Sequence, residues 1–136
     1  MKLTADTNVL VRAAAADDPR QAALAAEALL GAEAVVLPLP VLCEFVWVLG
    51  RGYRLSAEDV ALALEALLAA PNAVYDEPAV ERGLAFLRLG GDFADGVIAF
   101  AGLELGAEEF VTFDREAARL AAETGLRARL LGPPPG

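Results

Sequence analysis

The stretch EEFVTFDREAARLAAETG, residues 108–125, decides how this chain is read. Its first part, EEFVTFD, is rich in β-branched and aromatic residues and predicts a strand. The remainder, REAARLAAETG, is built from strong helix formers and stops at a glycine, where a helix is expected to end. A strand that passes straight into a helix through one aspartate, Asp114, is half of a βαβ unit.

The same alternation extends in both directions. KLTAD reads as a first strand and TNVLVRAAAA as a helix, broken at DDPR with Pro19 placed to begin the next helix. RQAALAAEALLG ends at Gly31, AVVLP has the signature of a buried strand, and residues 38–50 turn helical. A capping box at Ser56 and Asp59 opens SAEDVALALEALLAA, which Pro71 closes. NAVYD is a third strand, followed by helices over about 77–89 and through DFADGVIAFAGLELG; LRARLLG is the last strand. Short strands between helices of ten or more residues predict parallel pairing with helices on both faces, an α/β fold. There is no internal repeat or linker, so residues 1–132 are expected to form a single domain and PPPG, residues 133–136, a disordered tail.

Composition removes several chemistries. The chain of 136 residues has no histidine and one cysteine, Cys43, so neither Ser-His-Asp nor Cys-His nucleophile systems, intrachain disulfides or CxxC zinc sites can be built. Carboxylates remain: 20 Asp and Glu against 11 Lys and Arg give a formal charge of −9. A mean hydropathy of +0.47 implies either a membrane protein or apolar surface covered by a partner. No run reaches the roughly 18 to 20 apolar residues of a membrane span, since Pro38, Pro40, Glu44 and Arg51 interrupt the richest segment. The N-terminus lacks the apolar region of a secretory signal. These features imply a cytoplasmic, oligomeric protein.

Ligands of open parallel sheets sit beyond the carboxyl ends of the strands. Asp6 and Asp114 each follow a strand directly and are expected on one rim. Asp92 and Asp95 lie three apart in the first turn of a helix, where the dipole favours anions. Each has a structural reading as well: Asp6, Asp92 and Asp114 as helix N-caps, Asp95 as the completion of a capping box. Glu44 is different. Its neighbours at helical spacing include Pro40, Val41, Trp47, Val48 and Arg51, which predicts a partly buried carboxylate; an ion pair with Arg51 is the plain alternative. If such carboxylates converge, a divalent ion must neutralise them, and oxygen donors without His or Cys select Mg²⁺ or Mn²⁺. That chemistry suits phosphodiester hydrolysis.

ADTNVL, Glu44 on its apolar helix, GGDFADGVIAFA and LGAEEFVTFDREA together resemble the PIN-domain ribonucleases, and in size and order the VapC-type toxins of bacterial and archaeal toxin–antitoxin pairs. The resemblance covers nearly the whole chain. DTN alone is weak, DFADGVIA is moderately specific, and the ordered set ending in TFD is strong. It implies a three-layer α/β/α fold with a parallel sheet of about five strands in the order 3-2-1-4-5, a homodimer, and an antitoxin that covers a groove beside the site. It implies an Mg²⁺- or Mn²⁺-dependent endoribonuclease whose metal-binding acids are Asp6, Glu44, Asp95 and Asp114. Asn8 matches the polar residue that arranges the site, and Thr112 the hydroxyl two positions before the last acid. Asp92 is common in the family and would join through water. Gly96 departs from the family, which more often has a bulkier small residue there, and would loosen that helix turn.

Phosphoreceiver domains and aspartate-nucleophile phosphatases share the acidic rim. Both need a late lysine, whereas the only lysine is Lys2, and Asn8 replaces the second acid of the phosphatase pattern. The remaining rival is a non-catalytic interaction module in which the acids merely cap helices; a buried Glu44 would argue against it. The acidic balance repels RNA, but Arg12, Arg51, Arg54, Arg88 and Arg115 would offer a local basic track. The helices between Pro38 and Ala70 are the expected dimer and antitoxin surfaces.

Overall fold

The computed structural model describes residues 1–132; the tail expected at 133–136 lies outside the described residues. The chain divides into two compact units, residues 1–76 and 77 onward.

In the first unit, β1 (Lys2–Thr4) leads through α1 (Thr7–Ala15) and α2 (Pro19–Leu30) to β2 (Ala34–Val36). From β2 the chain passes through α3 (Leu39–Trp47) and α4 (Ala57–Leu68) to β3 (Ala73–Val74). The three strands pair in parallel in the order β1-β2-β3, with Lys2 opposite Ala34 and Val35 opposite Ala73. Pro19 stands in the first turn of α2, Asp18 caps it, and Ser56 Oγ accepts from the Asp59 amide at the start of α4. The Asn72 side-chain amide donates to the carbonyls of Leu29 and Ala32, tying the segment before β3 to the turn that follows α2. Leu10, Leu37, Leu42, Phe45, Leu49 and Leu64 are buried almost completely. Between α3 and α4 the helix widens into a π turn, Val48–Gly52, closed by the Tyr53 amide on the Val48 carbonyl. Nothing in the apolar periodicity signals this widening.

The second unit runs α5 (Glu77–Arg88), α6 (Phe93–Glu104), β4 (Phe110–Thr112), α7 (Arg115–Glu123) and β5 (Ala128–Leu130). β4 and β5 are parallel, with Phe110 opposite Ala128. Phe86, Ala99, Leu120, Ala121 and Leu126 form the core between the helices and this pair, with Leu103 and Phe110 packed against it. The Arg82 guanidinium donates to the Thr124 carbonyl at the end of α7, and lies 5.9 Å from the centre of the Phe100 ring.

Two glycines let α5 and α6 approach. A Cβ on Gly96 would lie 2.6 Å from the Arg82 carbonyl oxygen and 3.0 Å from Gly83 Cα; one on Gly83 would lie 2.6 Å from the Phe93 ring. The expectation that Gly96 loosens its turn is therefore corrected. Gly96 is buried where the backbone of α5 leaves no room for a side chain.

The parallel α/β character holds, but the five-stranded order 3-2-1-4-5 does not. Among the described residues there are two sheets, of three strands and of two. The reason is strand length. KLTAD and EEFVTFD read as strands of five and seven residues, yet only three in each keep the extended ladder, because Asp6 and Asp114 already begin helices. Such short strands offer few ladder bonds on either edge.

Candidate active site

Four of the candidate aspartates, Asp6, Asp92, Asp95 and Asp114, stand at helix beginnings, and three of them cap. Asp6 Oδ1 accepts the Val9 amide at 3.2 Å, Asp92 Oδ1 the Ala94 amide at 2.8 Å, and Asp114 Oδ1 the Ala117 amide at 3.1 Å. Each cap engages one carboxylate oxygen; the second makes no hydrogen bond among the described residues. Asp95 caps nothing, so the expected capping box with Asp92 is not formed.

In the first unit, Asp6 and Asn8 are exposed at the start of α1. Glu44 lies on α3 and is exposed as well, which overturns its expected burial. The cause is which way the helix turns: Val41, Leu42, Phe45 and Val46 fill the core, and Pro40, Glu44 and Trp47 share the opposite, solvent face. That stripe is half apolar in sequence and was legible only as one apolar face. The alternative Glu44–Arg51 ion pair is absent among the described residues. Arg12, expected in a basic track, is engaged by Asp17 at 3.3 Å, and Tyr53 Oη donates to the same carboxylate at 3.0 Å.

In the second unit, Asp92, Asp95 and Asp114 lie within electrostatic range of one another. Asp95 is half-buried, and its carboxyl is held above the usual aspartate range, first by burial and then by the negative charges of Asp92 and Asp114. Thr112 Oγ1 accepts the Asp114 amide at 3.0 Å, fixing the backbone that presents the acid.

The donors are oxygen alone, the set that suits a hard dication. Among the described residues no group of three or more His, Cys, Asp or Glu side chains is close enough to hold a metal ion. Sequence reasoning passed over Phe113, which precedes Asp114 and is one of the most exposed apolar side chains of the chain. Strand alternation carried the only signal, since Phe113 and Val111 share the face opposite Thr112.

Residues 4–123 match the PIN-domain family model. The chain belongs to the PIN-domain family. PIN domains are generally nucleases that use divalent metal ions. Among curated proteins no significant match is found. No helix of the described residues is long and apolar enough to cross a membrane.

Proposed function

We propose that the chain is a divalent-metal-dependent endoribonuclease, the cytoplasmic toxin of a VapBC-type toxin–antitoxin pair, acting as a homodimer held in check by an antitoxin. Residues 1–132 act as one domain in this reading. Asp6, Glu44, Asp95 and Asp114 are its metal-binding acids for Mg²⁺ or Mn²⁺, and Asn8 and Thr112 order them. The observation that carries the reading is the half-burial of the Asp95 carboxyl beside Asp92 and Asp114. A half-buried carboxylate pressed by Asp92 and Asp114 is costly to the folded chain and is relieved by a bound cation. The chemistry such an ion supplies is activation of water for attack on phosphorus and neutralisation of the charge developing on the phosphate oxygens. The protein's own part is to hold carboxylate oxygens at helix starts, where each cap fixes one oxygen and presents the other.

A second reading, a PIN-like interaction module without catalysis, is favoured by the same caps and by the exposure of Glu44, which removes the argument against it from burial. Incubating total RNA with the protein in Mn²⁺ and in EDTA, then mapping the cut ends, separates the two. Discrete cuts that need the metal support the nuclease; intact RNA in both conditions supports the module.

A further inference from the structure

Among the described residues, two other than glycine have a left-handed backbone: Ala16 at φ 54° and Arg54 at φ 57°. Neither alanine nor arginine has the short polar side chain that eases this conformation, so each is costly to the folded chain. They stand far apart in sequence, yet each adjoins one end of the same contact. Asp17 follows Ala16, Tyr53 precedes Arg54, and Tyr53 Oη donates to Asp17 Oδ2 at 3.0 Å. The guanidinium of Arg12, in the last turn of α1, donates to Asp17 Oδ1 at 3.3 Å. A third irregularity meets the contact, because the Tyr53 amide closes the π turn that ends α3. The contact is exposed, and exposed ties contribute little to stability. It does not offset two left-handed residues, so local stability does not explain the arrangement. Strain that persists in this way marks a conformation held for use.

We propose that Arg12, Asp17 and Tyr53 form a latch that holds the C-terminal ends of α1 and α3 in a strained closed state, and that Asp17 and Tyr53 are thereby positioning residues for Asp6 and Glu44. The positioning role rests on the nuclease reading above; the latch itself does not. α1 begins at the Asp6 cap and packs against α3, which bears Glu44. Both helices end at the latch, α1 at Ala16 and α3 through its π turn at Tyr53. Packed helices slide as rigid bodies, so fixing their far ends fixes the lie of the acids they carry. When the latch opens, Ala16 and Arg54 leave the left-handed region. The amides of Ala16, Tyr53 and Leu55 then lose their bonds to the carbonyls of Arg12, Val48 and Leu49 together.

Native-state hydrogen exchange, read by NMR at one protein concentration, tests the latch without RNA or metal. The Ala16, Tyr53 and Leu55 amides should exchange through one common opening. Tyr53→Phe should lower the protection of all three about tenfold and leave Leu64, within α4, unchanged. Asp17→Ala should act in the same way, and the two changes together should do little more than Asp17→Ala alone. Adding Ala16→Gly and Arg54→Gly to Tyr53→Phe should raise protection about fivefold each, restoring the closed state although the hydroxyl is gone. Cleavage of total RNA in Mn²⁺ should fall in Tyr53→Phe and return in the triple variant. Protection lost equally at Leu64 would mean a general loss of stability and overturns the latch. So do three amides that respond separately, or glycines that leave their exchange unchanged. Cleavage unchanged in Tyr53→Phe despite faster exchange overturns the positioning role. The expected exchange pattern without cleavage by the parent supports the latch and overturns the nuclease reading.

Discussion

Placing a single methyl group at Gly96 tests the packing of the second unit. Its Cβ would meet the Arg82 carbonyl oxygen at 2.6 Å and its carbonyl carbon at 3.0 Å. These are backbone atoms, so no rotamer change relieves the contact and α5 must move from α6. Overpacking of this kind costs about 2 to 3 kcal/mol at the upper end of its range. Alanine returns about 1 kcal/mol over glycine in a helix, leaving a net loss of about 1 to 2 kcal/mol. For a chain of this length each kcal/mol shifts the midpoint by roughly 3 to 5 °C. Gly102 provides the control within the same helix, because a Cβ there meets nothing within 4 Å. Gly102→Ala should therefore gain up to about 1 kcal/mol from helix propensity alone. Thermal unfolding followed by circular dichroism should show Gly96→Ala melting below, and Gly102→Ala above, the parent. Equal stabilisation by both would refute the close approach of α5 and α6.

Other consequences follow from the charges. Asp95→Asn removes a carboxylate raised by burial and by its neighbours Asp92 and Asp114, so the metal-free variant should melt above the parent at neutral pH; a lower midpoint would contradict the repulsion. Asp17 is held below the usual range, chiefly by the Tyr53 hydroxyl and also by Arg12. The folded pKa is depressed, so this contribution to stability is present above the ordinary aspartate value and is lost as pH falls through the depressed one. Tyr53→Phe should move the Asp17 titration upward when followed by carboxyl NMR, and leave Asp95 unchanged.

Much of this molecule was legible in its sequence. Among the described residues the seven α-helices and five strands lie where apolar runs, Pro19, Ser56 and the terminating glycines put them, because these signals are local. What escaped depends on how elements meet. The face that α3 turns inward cannot be read from a helix apolar nearly all round, so Glu44 reads as partly buried although it is exposed. The role of Gly96 exists only against the backbone of α5. The strands were overread because Asp6 and Asp114 serve as helix caps and cut the ladders short. The same caps leave Asp6 and Asp114 open to two readings from sequence, because an aspartate that begins a helix and one that binds a metal look identical in the chain.

That ambiguity also supplies the sharpest test. Asparagine caps a helix about as well as aspartate but carries no charge, so Asp6→Asn and Asp114→Asn keep α1 and α7 while removing the anion. The account predicts that the parent cuts RNA only with Mg²⁺ or Mn²⁺, and that both folded variants lose this activity. Cleavage that persists in both variants, or in EDTA, would contradict it.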